Sequence, residues 1–191
     1  MIGRLAAALL MIASAAMAAE PPPKADGVVR VATFNASLNR RNPGELAQEL
    51  RLGGSPQIDA VIEIIQRVRP DIILINEIDH DARQISANLF RDALKVGREG
   101  AAGINYPHLF AAPSNTGVSS GFDLDGDGRV AGPKDAFGFG YFEGQYGMAI
   151  LSLHPLATPR TFQDQLWIDM PGHLIPMDFF GEAASALRLS S

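Results

Sequence analysis

Two groups of side chains in this sequence have the types and spacing that chemistry needs. The first is a pair of strand ends. Thr33-Phe34-Asn35 closes one apolar run, and Leu74-Ile75-Asn76-Glu77-Ile78-Asp79 closes another. Polar residues at the carboxyl ends of neighbouring strands lie where open α/β sheets bind ligands. A carboxylate at Glu77 with an amide oxygen at Asn35 suits Mg²⁺, a hard cation that takes oxygen ligands and shares them with substrate phosphate. The plainer alternative is a turn begun by Asn35 and a solvated charge at Glu77, because polar strand ends are ordinary.

The second group is local. Asp123-Leu124-Asp125-Gly126-Asp127-Gly128-Arg129 places Asp123, Asp125 and Asp127 at positions 1, 3 and 5 of an EF-hand-type loop, with Gly128 at position 6. That spacing aims three carboxylates at one centre, the glycine permits the tight turn, and the Arg129 carbonyl joins at position 7. Position 12 calls for a bidentate glutamate, but Lys134 stands there with Asp135 beside it. The flanks, Ser119-Ser120-Gly121 and Gly132-Pro133, do not form helices, so this is not a true EF-hand. The reading is a structural Ca²⁺ site over residues 123–135, set against a merely solvated Asp-Gly turn. Calcium is abundant outside the cytosol, so weak affinity suffices to hold such a loop.

Other residues carry less weight. Asp79-His80-Asp81 could supply metal ligands, but Asp81 with Gln84 also reads as a helix cap. Phe137-Gly138-Phe139-Gly140-Tyr141-Phe142 either lines a cleft or packs over the long loop, Tyr146 is placed to reach a phosphate, and Asn115 either faces the cleft or makes an Asx turn. His80, His108, His154 and His173 read as loop or strand-end histidines, and no Walker or dinucleotide motif occurs.

The elements that must position these groups follow from periodicity. Val28 to Phe34 is a β-branched run ending at Asn35, and it predicts a strand. A short helix is predicted over 45–50. Ile58, Val61, Ile62, Ile65 and Val68 share one helical face until Pro70 stops it. Asp71-Ile72-Ile73-Leu74-Ile75 reads as a strand buried on both faces. Ile85, Leu89, Ala93 and Leu94 predict another helix. Residues 97–146 are rich in Gly, Ser, Asn and Asp, with a strand expected only near Tyr106 to Ala112. Met148 to Leu153 predicts a further buried strand, 161–176 a strand or extended loop carrying Trp167, and Ala183 to Leu189 the start of a helix. Strands alternating with helices define an α/β class with helices covering sheet faces.

Composition narrows the functional classes. Of the 191 residues, 47% are hydrophobic and 19% charged, which is a globular balance and not a disordered one. The net charge of −5 argues against a basic nucleic-acid-binding surface, since such binding rests on Lys and Arg displacing counterions from phosphates. It leaves room for a phosphate held through a metal. The absence of cysteine excludes disulfides, thiolate-bound zinc and a thiol nucleophile. Arg4, the apolar run from Leu5 and the small residues Ala16-Met17-Ala18 form a cleavable export signal over 1–18, followed by a proline-rich linker over 19–27. The apolar run is shorter than the roughly 20 residues of a membrane span. An exported protein, periplasmic or extracellular and without a membrane span after cleavage, is therefore expected.

Three segments in order, Val-Arg-Val-Ala-Thr-Phe-Asn-Ala from Val29, Arg-Pro-Asp-Ile-Ile-Leu-Ile-Asn-Glu-Ile-Asp from Arg69 and Tyr-Gly-Met-Ala-Ile-Leu-Ser from Tyr146, resemble the first half of the endonuclease/exonuclease/phosphatase superfamily. The similarity extends through Trp167 to Gly172. It implies a DNase I-like four-layer sandwich, two β-sheets flanked by helices, over residues 28–191 and incomplete at the C-terminal end. It also implies that Asn35 organises the active site and its metal, that Glu77 is the principal ligand for Mg²⁺ or Mn²⁺, and that the substrate is a phosphate ester, nucleic acid or small molecule. The family more often has Gln where this chain has Asn76. Its later Asp-x-Asn and Ser-Asp-His motifs do not occur here, and the expectation is an amino-terminal portion of a longer enzyme. The second reading is a non-catalytic secreted calcium-binding module. Oligomeric state is left open by the sequence.

Overall fold

The computed structural model describes residues 21–188, so the export signal expected over 1–18 lies outside the described residues. Strand β1 (Val31–Leu38) leads into helices α1 (Glu45–Leu52) and α2 (Pro56–Val68), then β2 (Ile72–Ile78) and α3 (Ile85–Ala93). A short β3 (His108–Phe110) precedes the long loop, β4 (Met148–Ser152) follows it, and a one-turn α4 (Met177–Phe180) lies near the carboxyl end of the described residues. The strands form one mixed sheet in the order β1-β2-β4-β3. β1 and β2 run parallel, as a helical crossover requires, while β4 is antiparallel to both β2 and β3.

Alternation along the strands sorts their side chains between two faces. Phe34, Ile73, Ile75, Ala149 and Leu151 meet the apolar stripe of α2, Ile58, Val61, Ile62 and Ile65, together with Leu46 of α1 and Phe90 of α3. Each fully buried aliphatic side chain of this kind contributes about 1.5–3 kcal/mol by leaving water. The opposite face carries Val31, Thr33 and Asn35 beside Ile72, Leu74 and Asn76, with Ile150 and Met148 next in register. Segment 160–163 crosses part of it and roofs a cavity of about 420 Å³ floored by Leu74, Met148 and Ile150.

The mixed α/β class is as the sequence leads one to expect, and a single sheet is present among the described residues, where the expected sandwich has two. Three local expectations change. β1 begins at Val31 and runs through Asn35 to Leu38, because a register shift after Asn35, with Ser37 at φ 49°, lets pairing to β2 resume at Leu38. Residues Ile72 to Ile75 are not buried on both faces: Ile73 and Ile75 are, whereas Ile72 and Leu74 are half-buried. Segment 161–176 takes the loop alternative, with an isolated bridge of Leu166 to Arg188 and a 3-10 turn at Trp167–Asp169, and the helix start expected at Ala183 is, among the described residues, a 3-10 turn at Gly181–Ser185 after α4.

The long loop is more ordered than its composition suggests. Its two arms, 115–120 and 135–140, lie side by side. Gly117 donates to the Gly138 carbonyl at 2.8 Å, Gly138 to Asn115 at 3.0 Å, and Phe137 to Val118 at 2.9 Å. The acidic segment closes their tip. Among the described residues, no helix is long and apolar enough to cross a membrane.

Candidate functional site

The parallel pairing of β1 and β2 sets Asn35 opposite Asn76 and Thr33 opposite Leu74. All three polar side chains of this group face the open side of the sheet, where Asn76 donates to the Thr33 hydroxyl at 3.1 Å. Strict alternation would send Glu77 to the buried side with Ile73 and Ile75. Instead its φ is 57°, a left-handed value, and the carboxylate turns back to the open side. There its Oε1 accepts from the Asn35 amide at 2.7 Å. The Asn35 oxygen accepts from the Ser37 N–H at 3.1 Å, which fixes the amide so that its nitrogen faces the carboxylate. Asn35 and Glu77 therefore meet as the sequence suggests. In this geometry Asn35 orients the carboxylate.

A left-handed non-glycine residue costs about 1–3 kcal/mol and persists only where its surroundings hold it. The segment after Glu77 is held firmly. Ile78 donates to the Gly147 carbonyl at 3.1 Å and His80 to the Gly144 carbonyl at 2.8 Å. This close approach needs glycine at position 144: its φ is 87°, and a Cβ there would stand 2.4 Å from the His80 carbonyl oxygen. Between those anchors the buried Asp79 carboxylate accepts the Arg40 N–H at 2.7 Å and the Tyr146 N–H at 3.3 Å. Burial pushes this carboxyl up to about 6, opposed by the two backbone donors and the Arg40 charge.

Buried Gln145 completes the tie. Its amide donates to the Arg40 carbonyl at 2.7 Å and accepts from the Tyr141 N–H at 2.7 Å. The Arg40 guanidinium grips both oxygens of Glu49, at 2.9 and 2.7 Å. Tyr146 thus lies beside the Glu77 segment, in an open cleft shared with Arg40, Arg41 and Tyr141. Asn115 lies elsewhere: it is buried at the wall of the cavity over the sheet, and its amide donates to the Gln163 carbonyl at 2.8 Å. Asp81 serves as a helix anchor, accepting from the N–H groups of Arg83, Ile85 and Ser86 at 3.2, 2.9 and 2.9 Å. Gln84 does not close a capping box with it, because its amide reaches the Ala111 carbonyl instead, at 2.8 Å.

The acidic loop departs from the EF-hand pattern. Asp123, Asp125 and Asp135 bring carboxylate oxygens within 4.8 Å of one another. Asp127 is not in this group; its Oδ1 accepts the Arg129 N–H at 2.9 Å. The carboxylate that converges with Asp123 and Asp125 is thus that of Asp135, one position past the point where a glutamate is expected, whereas the sequence points to Asp127. Asp135 is buried and ties the tip together, accepting from Leu124 at 2.8 Å and Ala131 at 2.9 Å. Lys134 forms an ion pair with Asp125 at 3.2 Å.

The sequence model of the Endonuclease/Exonuclease/phosphatase family matches residues 32–187, and the chain belongs to that family. No curated protein compared with the chain matches it. Among solved structures, it is similar to the crystal structure of an endonuclease/exonuclease/phosphatase from Beutenbergia cavernae DSM 12333. The identity is 15% and the TM-score 0.31, with 69% of this chain and 27% of that one covered. The chain thus spans about a quarter of that relative's length.

Proposed function

We propose that the protein is an exported, metal-dependent phosphoesterase whose divalent cation is held at Glu77. The observation that carries this reading is the Asn35–Glu77 hydrogen bond of 2.7 Å on the open side of the sheet. It presents an oriented carboxylate beside the Asn76 amide and the Thr33 hydroxyl, while the Asn35 oxygen is taken by the Ser37 N–H and Asn35 acts through its hydrogen bond to Glu77. That all-oxygen donor set fits Mg²⁺ or Mn²⁺, which need few protein carboxylates and keep water and substrate phosphate as further ligands. When bound, such an ion neutralises charge on phosphoryl oxygens.

The chain's own residues then have separable tasks. Glu77 supplies the anionic ligand, and Asn35 keeps one of its oxygens in place. Arg41 and Tyr146, in the cleft beside this segment, supply a cation and a hydroxyl for a phosphate ester. Family membership supports hydrolysis of a phosphate ester, and the amino-terminal sequence supports export. The acidic balance makes a small phosphate ester as suitable a substrate as a nucleic acid.

The acidic loop supports a second, structural ion. The convergence of Asp123, Asp125 and Asp135 suits Ca²⁺, which accepts several oxygens in flexible geometry. This feature also sustains the alternative of a non-catalytic secreted calcium-binding module. Turnover of phosphodiester and phosphomonoester model compounds with Mg²⁺, Mn²⁺ or Ca²⁺ separates the two. Metal-dependent turnover that Glu77→Gln abolishes is the expected result. A folded protein without turnover under any of these ions favours the calcium module.

A further inference from the structure

We infer that Asp79 is a positioning residue for the Glu77 site, holding the carboxylate in its metal-binding conformation without touching the metal. The inference rests on the reading of Glu77 as a metal ligand. Two non-glycine residues with left-handed backbone flank the point where β2 and the loop before β4 meet: Glu77 at φ 57° and Tyr146 at φ 56°. Neither conformation is intrinsically favoured, so each must be imposed from outside. Backbone bonds from Ile78 to Gly147 and from His80 to Gly144 supply part of that restraint. Asp79, two residues beyond Glu77, supplies the side-chain part. One oxygen takes the N–H of Tyr146, and the other takes the N–H of Arg40 at the exit of β1.

A single carboxylate thereby ties three segments together: the turn after Glu77, the turn after β1 and the loop carrying Tyr146. Asp79 is buried, 4% exposed, so water cannot take over these bonds without opening the structure. If Asp79 is lost, Glu77 is free to relax toward ordinary strand geometry, in which alternation directs its side chain away from Asn35. The metal ligand would then be present but no longer aimed.

The test is Mn²⁺ affinity measured by electron paramagnetic resonance. Every protein carries Asp123→Asn and Asp125→Asn, so that the acidic loop does not contribute. Glu77→Gln is expected to weaken binding about 10-fold or more, and Asp79→Ala to weaken it about 10-fold, the scale of losing an outer-shell partner. Asp79→Asn cannot accept from both N–H groups and is expected to lose about three-fold, the scale of one hydrogen bond. Asp81→Ala, which removes a helix anchor, lowers stability and leaves Mn²⁺ affinity unchanged, so a general loss of stability is told apart from lost positioning. Wild-type affinity in a cooperatively unfolding Asp79→Ala protein overturns the positioning role while Glu77 stands as ligand. If Asp79→Ala does not fold, wild-type affinity in Asp79→Asn does the same. Unchanged affinity in Glu77→Gln overturns the metal reading and this inference with it.

Discussion

The Asn35 amide and the Glu77 carboxylate, on adjacent parallel strands, meet at 2.7 Å although strict alternation places their side chains on opposite faces of the sheet. The contact exists because Glu77 adopts a left-handed backbone conformation at the end of β2. Local strain and a long-range hydrogen bond thus build the candidate site together. Asn35 is half of it only because the amide oxygen is itself committed to the Ser37 N–H, 3.1 Å away.

Removing the amide should therefore cost orientation more than it costs fold. Asn35 is exposed at a strand position, so Asn35→Ala is expected to change stability by under about 1 kcal/mol. Metal affinity should fall about 10-fold, as for other outer-shell partners. Calorimetric Mg²⁺ titration alongside urea unfolding checks both. A large stability loss with unchanged metal affinity would assign Asn35 to structure alone.

The approach of the 144–147 loop to residues 78–80 makes a sharper prediction. A methyl group at position 144 would stand 2.4 Å from the His80 carbonyl oxygen, on a backbone at φ 87° that side chains rarely adopt. The obstacle is backbone, which cannot rotate aside. Gly144→Ala should destabilise by about 2–4 kcal/mol, combining steric overlap with left-handed strain. At Gly126, where no atom stands within 4 Å, the same substitution carries only the conformational term of about 1 kcal/mol. Urea midpoints of the two variants test this ordering.

Acid should weaken the start of α3. Burial works against the Asp81 carboxylate, but the N–H groups of Ser86, Ile85 and Arg83 outweigh it and hold the group below its ordinary value of 3.8. A depressed carboxyl stabilises the fold fully above that unfolded value, and the contribution disappears as pH falls through the folded one. His80 beside it is held below its ordinary value by burial, against the pull of Asp81, and gains charge as pH falls. Asp81→Ala should cost about 1 kcal/mol near pH 6, the usual worth of a helix-start acceptor. The difference from wild type should shrink below pH 4. A difference that stays constant to pH 3 would show that the carboxylate's charge is not what anchors the helix.

Much of this architecture is legible from residue order. The stripe from Ile58 to Val68 and the run from Ile72 onward announce a helix and its following strand, because burial selects apolar side chains at the period of each element. Asn35 and Glu77 stand out because polar groups interrupt those runs. Gln145 does not stand out, and Asp79 stands out only as a possible metal ligand, not as a tie between segments. Their partners are backbone groups of Arg40, Tyr141 and Tyr146, and a backbone partner leaves no pattern in side-chain types. The same reason hides the pairing of the loop arms, whose bonds join Gly117, Gly138 and Asn115 through main-chain atoms. Glu77's reversal was equally invisible, since alternation assumes a regular strand.

Asp135 is visible in the sequence beside position 12, but counting by the EF-hand pattern passes over it as a ligand. The EF-hand pattern expects its last carboxylate at position 12, and here Pro133 and the 3-10 turn Pro133–Asp135 carry the next residue inward instead. Asp135 is 3% exposed, whereas Asp125 is exposed and Asp123 half-buried, so the trio runs from the surface inward. Three carboxylates within 4.8 Å repel one another, and a divalent cation removes that repulsion. Calcium should therefore stabilise the protein. An ion present at 100 times its dissociation constant adds about 2.7 kcal/mol, and each kcal/mol raises Tm by about 2–4 °C in a chain of this size. Asp135→Asn should abolish the shift, because it removes the innermost ligand. Lys134→Gln should enlarge it at low calcium, because the Lys134 ammonium no longer competes for Asp125. Asp127→Asn should preserve most of it, since that carboxylate lies outside the converging group. Thermal unfolding with and without Ca²⁺ reads all four proteins. A shift that survives Asp135→Asn but vanishes in Asp127→Asn would restore the EF-hand arrangement and overturn the one described.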